Sequence, residues 1–378
     1  MISPFLKRSE TYVQGSMMLP RKYFTQEEIF TQELERIFYR HWICVGRASQ
    51  IRNPGDYFLQ TVGRESLIIL RDKSGKLRAH YNVCRHRGTR LCEQPHGRLS
   101  ETIQCPYHAW TYALDGRLIG APLMQDVIGF EKHDYSLHRA SLSEWEGFIF
   151  ANLSIESEPF EAAFSPIMQR FTRFNLPVLE VARHIEYEVQ ANWKLLFQNY
   201  SECLHCPTLH PSLARLSPYQ SGENDLYEGP YLGGYMEIVD EAASLTMSGR
   251  VCGLPVGDLP PEDSKRVYYY SIFPNLLVSI HPDYVMFHLL WPRSPRLTQV
   301  TCAWMFHPDS FQQPDFDPDE AVNFWDMTNR QDWHICELSQ AGIESRAYTP
   351  GPYSARETLA AAWDREYLRA LEDTPRPE

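Results

Sequence analysis

Two short segments of the sequence each place a cysteine and a histidine close together. Cys84 and His86 are separated by one residue, and further along Cys105 and His108 are separated by two. Two thiolates can hold one iron while two imidazoles hold a second, which is the ligand set of a Rieske [2Fe–2S] centre. Gly88, beside the first pair, would let the ligand loop turn tightly. The paired motifs therefore predict a [2Fe–2S] cluster held by Cys84, His86, Cys105 and His108.

The same four residues have two other interpretations. A structural zinc site also takes two cysteines and two histidines, but its paired ligands are usually two to four residues apart rather than one. The four could also be unrelated core residues, because unpaired cysteine is often buried. Two matched half-motifs favour the cluster over both alternatives. Cys92 and His96 lie between the halves and are interpreted as structural residues.

A second pair of histidines follows a helical pattern that begins at Asn192. His205 and His210 flank Pro207, and we expect this proline to end the helix because the residue before a proline disfavours the helical conformation. The two imidazoles could then converge, and one carboxylate would complete a 2-His-1-carboxylate triad that leaves positions on Fe(II) open for O2. Alone, the pair could also be two unrelated histidines. An upstream cluster favours the iron site, because a one-electron donor needs an acceptor.

Acidic residues supply candidates for the remaining roles at this second site. Glu202 lies three residues before His205, so on a helix the two side chains share a face. A metal-bound histidine commonly donates its second ring N–H to a carboxylate, a role that Glu202 could fill. The alternative is a glutamate that faces solvent. Asp326 and Asp332 are both candidates for the third iron ligand, although aspartate on a helix is usually a surface residue.

The composition excludes several classes of protein. The 378 residues predict two or three domains. With 36 basic and 48 acidic residues the net charge is −12, which argues against a nucleic-acid-binding protein. Hydrophobic residues at 43% are sufficient for a large core. No apolar run is long enough for a membrane span, and we recognise no signal peptide.

The nine cysteines are an odd number. Without a recognised secretion signal they favour reduced thiols or metal thiolates over a disulfide framework, and they favour a cytoplasmic location. Cys203 and Cys206 form a CxxC sequence around His205, which in another context would indicate redox or zinc chemistry. Here we assign these two thiols no role.

The elements that must position these residues fall into an α+β pattern. Residues 25–42 have helical periodicity, with Thr25 and Glu28 as a possible capping box. Short β-rich runs and hairpin turns follow, and then strands mix with helices. We predict an N-terminal segment at 1–42 that packs on the catalytic domain, an antiparallel β-module at 43–153, and a larger domain at 154–378. The last of these would contain a central antiparallel sheet and helices.

Residues 82–122, which contain NVCRHRGTRL and CPYHAWTYALDGRLIGAP, resemble the Rieske domain of the oxygenase component of Rieske non-haem iron oxygenases. The resemblance covers nearly the whole chain, beginning in the region of Leu19 and Trp42. The four paired cysteines and histidines match the family's cluster ligands, and His205 and His210 match its iron-ligand histidines. The segment around Asp332 is similar to the one that supplies the family's aspartate ligand, so we predict Asp332 and keep Asp326 as the second choice.

The resemblance also implies cofactors and partners. It implies a Rieske cluster, mononuclear Fe(II), and O2 as co-substrate. The sequence shows no GxGxxG fingerprint after a strand, so NAD(P)H would be oxidised by a separate flavin or iron–sulfur reductase. In the family the cluster of one chain serves the iron of the next in a head-to-tail homotrimer, a ring-closing arrangement in which Glu202 would bridge the two sites.

The identity of Glu202 gives the best indication of the substrate. Family members that act on aromatic rings usually carry aspartate at this position, whereas those resembling carnitine, choline and betaine oxygenases carry glutamate. We therefore predict a monooxygenase that hydroxylates a carbon next to the nitrogen of a quaternary ammonium compound, leading to C–N cleavage or N-demethylation. Aromatic faces could hold the cation. The candidates are Tyr227, Tyr231, Tyr235 and Tyr268–Tyr270, although such tyrosines more often serve packing.

Two other functions fit the same motifs. One is the alpha subunit of an aromatic-ring hydroxylating dioxygenase, which would require a small beta subunit. The other is a Rieske electron carrier without oxygenase activity. The carrier would hold two irons per chain, whereas either oxygenase would hold three.

Overall fold

The computed structural model describes residues 4–372. The chain forms two compact units, one of residues 38–163 and the other of residues 1–37 with 164–378. We call them the inserted unit and the outer unit. The predicted division at 42/43 and 153/154 stays a prediction.

The described residues form eighteen strands. In chain order these are β1 (Leu6–Lys7), β2 (Ile43–Arg47), β3 (Asp56–Val62), β4 (Glu65–Arg71), β5 (Leu77–Tyr81), β6 (His96–Arg98), β7 (Thr102–Gln104), β8 (Thr111–Ala113), β9 (Leu118–Gly120), β10 (Arg139–Trp145), β11 (Phe148–Asn152), β12 (Glu180–Val189), β13 (Glu223–Leu226), β14 (Tyr231–Glu237), β15 (Arg266–Ile272), β16 (Leu276–Ile280), β17 (Val285–Ser294) and β18 (Leu297–Phe306).

The α-helices of the described residues are α1 (Lys22–Thr25), α2 (Glu27–Glu33), α3 (Phe160–Ala163), α4 (Trp193–Tyr200), α5 (Cys206–Leu209), α6 (Pro211–Leu216), α7 (Asp319–Ile343) and α8 (Thr358–Glu372). A π-helical turn at Leu34–Phe38 continues α2. None of the helices in residues 4–372 has the length and apolar character that a membrane span requires.

The inserted unit contains two antiparallel sheets. The larger has the order β2-β11-β10-β5-β4-β3-β6, and the smaller has the order β7-β8-β9. The turn between β4 and β5 closes on Asp72, whose Oδ1 accepts hydrogen bonds from the amides of Ser74 at 2.8 Å and Lys76 at 3.0 Å. The hairpins predicted here from turn residues are confirmed.

The outer unit is built on one eight-stranded antiparallel sheet with the order β1-β13-β14-β15-β16-β17-β18-β12. Strands β15 to β18 are adjacent in sequence and in the sheet, as their alternation of strands and turns predicts. The short edge strand β1 pairs with β13, bringing the first described residues of the chain to the sheet. The predicted α+β architecture with a central antiparallel sheet is confirmed.

Helix α4 is buried in the outer unit and needs an ion pair to accommodate its lysine. Asn192 caps the helix by accepting a hydrogen bond from the amide of Lys194 at 3.2 Å. The Lys194 ammonium is fully buried and lies 2.5 Å from Glu33, which also accepts a hydrogen bond from Tyr367 at 2.6 Å. Removing one partner would leave a buried charge unpaired, which costs about 3–5 kcal/mol. This pair ties α2 and α8 to the helix that leads to the second histidine pair.

Two helix boundaries differ from the prediction. Thr25 does not begin a capping box, because it ends α1 and its hydroxyl donates to the carbonyl of Arg21 at 3.1 Å. Pro207 does not end the helix from Asn192, since α4 already ends at Tyr200. Pro207 instead lies in the first turn of α5, where its missing N–H leaves no helical hydrogen bond unmade.

Candidate functional site

The first predicted ligand loop is a tight backbone turn. The amide of Gly88 donates to the carbonyl of Cys84 at 3.0 Å, and the amide of Cys84 donates to the carbonyl of Thr89 at 2.8 Å. Gly88 has a φ of +75°, so the predicted need for glycine in this turn is confirmed. The side chain of Asn82 braces the loop by accepting from the amides of Leu91 and Cys92, each at 2.9 Å.

The second loop repeats this construction. The amide of Ala109 donates to the carbonyl of Cys105 at 3.1 Å, and the amide of Cys105 donates to the carbonyl of Trp110 at 2.8 Å. Ala109 takes the place that Gly88 has in the first loop, with a φ of +55°. A non-glycine residue in this left-handed region is sparsely populated and is held there by its surroundings, a feature that often marks functional loops.

The two loops bring all four predicted cluster ligands together. Cys84 and Cys105 are buried, and their thiols lie close enough to interact. Burial is the main cause of the raised pKa of Cys84, and the neighbouring Cys105 thiol raises it further. The rings of His86 and His108 are 4.8 Å apart, and His86 stacks on Trp110. Within the described residues, Nδ1 of His108 is buried without a hydrogen-bond partner.

This donor set fits a [2Fe–2S] cluster. Two thiols and two imidazoles face one another from matched loops, and a buried imidazole nitrogen without a partner is costly unless a ligand satisfies it. The Tyr112 hydroxyl lies 3.3 Å from the Cys84 sulfur and accepts from the Arg85 amide at 3.0 Å, so it is positioned to hydrogen-bond the sulfur. That Cys84, His86, Cys105 and His108 are the ligands stays a prediction.

The two residues interpreted as structural lie outside this group. Burial raises the pKa of Cys92 to about 11, so its thiol stays protonated at neutral pH. His96 lies on β6, where it pairs with Phe58 and is exposed to solvent.

The second site is formed by three side chains that meet at one carboxylate oxygen. Oδ1 of Asp332 lies 2.8 Å from Nε2 of His210 and 3.3 Å from Nε2 of His205. Asn199, on α4, donates to the same oxygen at 3.1 Å. The structure therefore brings together the two histidines and the carboxylate predicted to form the triad. That these three bind the iron stays a prediction.

Each histidine is oriented through its other ring nitrogen. Nδ1 of His205 is hydrogen-bonded to Glu202, as the spacing predicts, although residues 201–205 form a turn rather than a helix. Nδ1 of His210 lies 2.7 Å from Oε1 of Gln331. Such partners fix the tautomer and leave Nε2 available to a metal. Gln331 was missed in the sequence because nothing local connects it with His210, although it is next to Asp332.

The electrostatics of the site favour a positive charge between these groups. Burial alone would lower the pKa of His205, but the hydrogen bonds with Asp332 and Glu202 outweigh it and raise the pKa to about 10. Burial would raise the pKa of Asp332, but its hydrogen bonds with the two histidines lower it instead. A site with these properties suits a cation such as Fe(II), and the two-histidine, one-carboxylate donor set is the one that non-haem iron takes.

Asp326, the second choice for the carboxylate, is engaged elsewhere. It accepts hydrogen bonds from the Tyr187 hydroxyl at 2.8 Å and from Nε of Arg330 at 2.9 Å. Both aspartates lie on α7, six residues apart. At roughly 3.6 residues per turn, this separation rotates the second side chain by about 240° around the helix axis relative to the first. The two carboxylates therefore point in different directions, and only Asp332 meets the histidines.

Cys203 and Cys206 are joined by a disulfide bond, which the sequence did not predict. The other seven cysteines, at positions 44, 84, 92, 105, 252, 302 and 336, form no disulfide bond. The sulfur of Cys206 lies 3.8 Å from Nε2 of His205. Since it is bonded to Cys203, it is not a thiolate, which favours Asp332 as the predicted third ligand.

A cavity opens beside the three converging side chains and encloses about 840 Å³ of space, part of it open to solvent. Its aromatic lining is Tyr200, Tyr269, Trp325 and Trp333. Its apolar lining includes Leu213, Leu232, Met236, Met286 and Leu359, and its polar lining includes Arg8, Asn199, Asn224, Ser271 and His288.

Of the tyrosines considered in the sequence, Tyr269 turns its ring toward this cavity. Tyr235 borders the cavity but pairs with Tyr268 on β15, so its ring lies on the other face of the sheet, 5.9 Å from the Tyr268 ring. Tyr268 and Tyr270 alternate with Tyr269 along β15 and therefore face the opposite side of the sheet. There they pack against Phe174 and Phe171. Tyr231 packs against Phe164.

Comparison with known families agrees with both sites. Residues 41–131 match the model of the Rieske [2Fe–2S] domain, and residues 177–373 match that of the ring hydroxylating alpha subunit (catalytic domain). The chain belongs to the Rieske oxygenases, as a member of the ring-hydroxylating alpha-subunit family. The predicted family and fold class are confirmed.

Individual relatives support the same placement. The chain is 30% identical over 374 residues to the glycine betaine monooxygenase oxygenase subunit of Chromohalobacter salexigens, covering 90% of this chain and 82% of the relative. It is 36% identical over 197 residues to the carnitine monooxygenase oxygenase subunit of Acinetobacter pittii, covering 52% and 53%. Its fold matches the quaternary ammonium Rieske monooxygenase CntA in complex with L-carnitine, with a TM-score of 0.75, 25% identity and coverage of 94% and 95%.

The protein is thus an oxygenase, an oxidoreductase that incorporates oxygen from O2. It uses a Rieske [2Fe–2S] cluster and a mononuclear iron, and it takes electrons that originate from NAD(P)H through a separate reductase. The predicted cofactors are confirmed at this level, and the zinc interpretation of the paired motifs is wrong.

We predict that His86→Ala abolishes the visible absorption of the oxidised cluster, because an iron would lose one of its two imidazoles. The matched control is His96→Ala, which removes an exposed histidine from the same unit. Absorption spectra of the purified variants test this, and an unchanged spectrum for His86→Ala would show that His86 is not a ligand.

We predict that Asp332→Ala loses the mononuclear iron and all oxygenase activity while it keeps the cluster spectrum. Asp326→Ala is the matched control on the same helix and should keep three irons per chain, because its carboxylate contacts only Tyr187 and Arg330. Iron analysis of both proteins gives the answer. Iron loss in Asp326→Ala but not in Asp332→Ala would reverse the assignment.

Proposed function

We propose that this oxygenase acts on a small quaternary ammonium compound of the carnitine or betaine type and hydroxylates a carbon next to its nitrogen. The observation that carries the proposal is the aromatic lining of the cavity beside the His205–His210–Asp332 triad. Relatives named for glycine betaine and carnitine support the same substrate class. The presence of glutamate rather than aspartate at position 202 supports it further.

The aromatic lining is suited to a cation without hydrogen-bond donors. Tyr269 lies between Tyr200 and Trp325, with ring centroids 6.1 Å and 6.4 Å away. A quaternary ammonium group against such rings gains roughly 0.5–2 kcal/mol from cation–π attraction. Because the group cannot donate a conventional hydrogen bond, this contact and charge attraction from nearby carboxylates are its main means of recognition.

The rings are held rigidly, which lowers the entropic cost of binding. The Tyr200 hydroxyl donates to the Val278 carbonyl at 2.9 Å, and the Trp325 indole donates to the Tyr284 hydroxyl at 2.6 Å. Since these polar groups are bonded outside the cavity, the ring faces remain available to the substrate.

The chemistry of the substrate determines the products. When bound, the cluster and the mononuclear iron supply the one-electron steps that activate O2. One oxygen atom enters a C–H bond next to nitrogen, and the other leaves as water after two electrons and two protons are taken up. The resulting hemiaminal breaks its C–N bond and releases an aldehyde together with a tertiary amine. For a methyl group the aldehyde is formaldehyde.

Glu202 is the chain's positioning residue for this reaction. It accepts the Nδ1–H of His205 with one oxygen and is hydrogen-bonded to the amide of Leu204 with the other. We also propose that the protein assembles as a head-to-tail homotrimer, in which Glu202 approaches a cluster histidine of the neighbouring subunit. Its side chain would then connect the two sites across the interface.

We predict that the purified protein, supplied with a generic NAD(P)H-dependent reductase, releases aldehyde from carnitine, γ-butyrobetaine, glycine betaine, choline or proline betaine. The panel should also contain an aromatic acid. Aldehyde release coupled to O2 uptake is the measurement. Turnover of the aromatic acid without turnover or binding of any quaternary ammonium compound would favour the aromatic-ring oxygenase instead. Two irons per chain and no turnover of either class would favour the electron carrier.

We predict that Glu202→Ala keeps both the cluster spectrum and three irons per chain, yet its reduced cluster is not reoxidised when substrate and O2 are present. The reason is that His205 loses its hydrogen-bond acceptor and the proposed connection between subunits is removed. Glu228→Ala, which removes an exposed glutamate, serves as the control. Stopped-flow absorption follows the cluster, and reoxidation at the wild-type rate in Glu202→Ala would refute this role.

A further inference from the structure

Arg8 places a buried guanidinium in the lining of the substrate cavity. The residue is 8% exposed, and it lines the cavity together with Asn224 and Tyr269. Among residues 4–372 the guanidinium forms no hydrogen bond or ion pair, and its Nε is buried without a partner. A buried cation without a counter-ion is costly, so such groups are usually paired with an anion.

Backbone pairing and side-chain contacts hold Arg8 in place. It follows β1 directly, where Leu6 pairs with Asn224. The Thr11 hydroxyl donates to the Thr358 hydroxyl at 3.2 Å, and the Tyr12 hydroxyl donates to the Tyr353 carbonyl at 3.0 Å. The segment that carries the guanidinium is therefore anchored to the region where α8 begins.

Gly222 provides the space that the guanidinium occupies. A Cβ atom at this glycine would lie 2.7 Å from Cζ, Nε and Nη2 of Arg8, which is closer than side chains approach one another. The glycine has a φ of −68°, so its backbone conformation does not require glycine. Glycine at position 222 therefore leaves the space in which the Arg8 guanidinium lies.

The acidic residues near the cavity do not neutralise Arg8. Glu202 exerts an electrostatic attraction on it, but both oxygens of Glu202 are already hydrogen-bonded, to His205 and to the Leu204 amide. Burial lowers the pKa of Arg8 and Glu202 acts in the opposite direction. Asp332 is engaged by the two histidines and Asn199. Within residues 4–372 no carboxylate is left to pair with Arg8, so we look for the anion in a molecule that enters the cavity.

The geometry points to Arg8 as a carboxylate-binding residue that selects zwitterionic substrates, with a quaternary ammonium group at one end and a carboxylate at the other. The guanidinium binds the carboxylate through charge-assisted hydrogen bonds, and the aromatic lining holds the ammonium group. Choline carries the same cation without the carboxylate and gains nothing from Arg8. This inference rests on the proposed function for recognition of the ammonium group. Recognition of the carboxylate depends on Arg8 alone.

Calorimetric titration of the iron-loaded protein without reductase tests the inference, because binding is then measured without turnover. The probes are glycine betaine, carnitine and choline. Arg8→Gln should weaken binding of the two carboxylates on the order of 10- to 100-fold, as expected for lost hydrogen bonds to a charged group, and should leave choline binding unchanged. Arg8→Lys should recover part of the loss, because it keeps the charge but not the planar fork.

Two further variants separate carboxylate recognition from a structural role. Gly222→Ala keeps every charge but displaces the guanidinium, so it should reduce affinity for the carboxylates and not for choline. Arg356→Gln removes an exposed arginine close to Arg8 and should change neither. Because the guanidinium has no partner in the described structure, Arg8→Gln should not lower the melting temperature of the ligand-free protein. It should abolish the rise in melting temperature that glycine betaine causes in the wild type.

The possible outcomes distinguish this inference from the proposed function. If wild-type protein binds no quaternary ammonium compound but binds benzoate in a manner that requires Arg8, the proposed substrate class is wrong and the carboxylate site stands. If Arg8→Gln binds glycine betaine and benzoate as tightly as the wild type, the inference is overturned. Equal losses for glycine betaine and choline would also overturn it, since they would show a general effect on the cavity.

Discussion

The structure of the outer unit depends on one requirement, namely that two imidazole nitrogens reach the same carboxylate oxygen. His210 and Asp332 are 122 residues apart in the chain, yet their side chains meet at 2.8 Å. This is possible because α4 and α7 are fixed to one another beside the sheet. The Asn192 amide donates to Gln340 at 3.1 Å, and the Cys336 thiol donates to the Leu195 carbonyl at 3.7 Å. The buried Glu33–Lys194 pair then holds α4 itself.

The predicted cluster site and the predicted iron site position their ligands in different ways. In the inserted unit each pair of predicted ligands lies within one turn, and backbone hydrogen bonds from Gly88 and Ala109 close the two turns in the same way. Long-range structure has only to bring two finished loops together. In the outer unit the two histidines flank α5 while the carboxylate comes from α7, and each histidine needs a partner of its own, Glu202 or Gln331. The geometry of the predicted iron site is therefore sensitive to changes in residues far from the iron ligands.

This difference explains which parts could be predicted from the sequence. The paired cysteines and histidines could be recognised because their spacing alone brings them together, and the strand-rich runs of the larger domain indicated its central sheet. Gln331 could not be found, since only the packing of α7 against the histidine turn brings it to His210. Pro207 was misassigned because a proline either follows a helix or begins one, and tertiary structure decides between the two. Arg8 gave no signal, because nothing local shows that β1 is paired with β13.

The short edge strand β1 also has a consequence for how specificity can evolve. The three residues predicted to hold the iron are hydrogen-bonded to one another and to Asn199, Glu202 and Gln331, so altering one of them breaks several contacts at once. Arg8 lies beside a strand of only two residues at the margin of the sheet. Natural variation could replace the Arg8 side chain without breaking a hydrogen bond or ion pair of the described residues, and so change the ligands that enter the cavity. A family with this arrangement could change the range of small molecules that it binds while its catalytic residues stay almost unaltered.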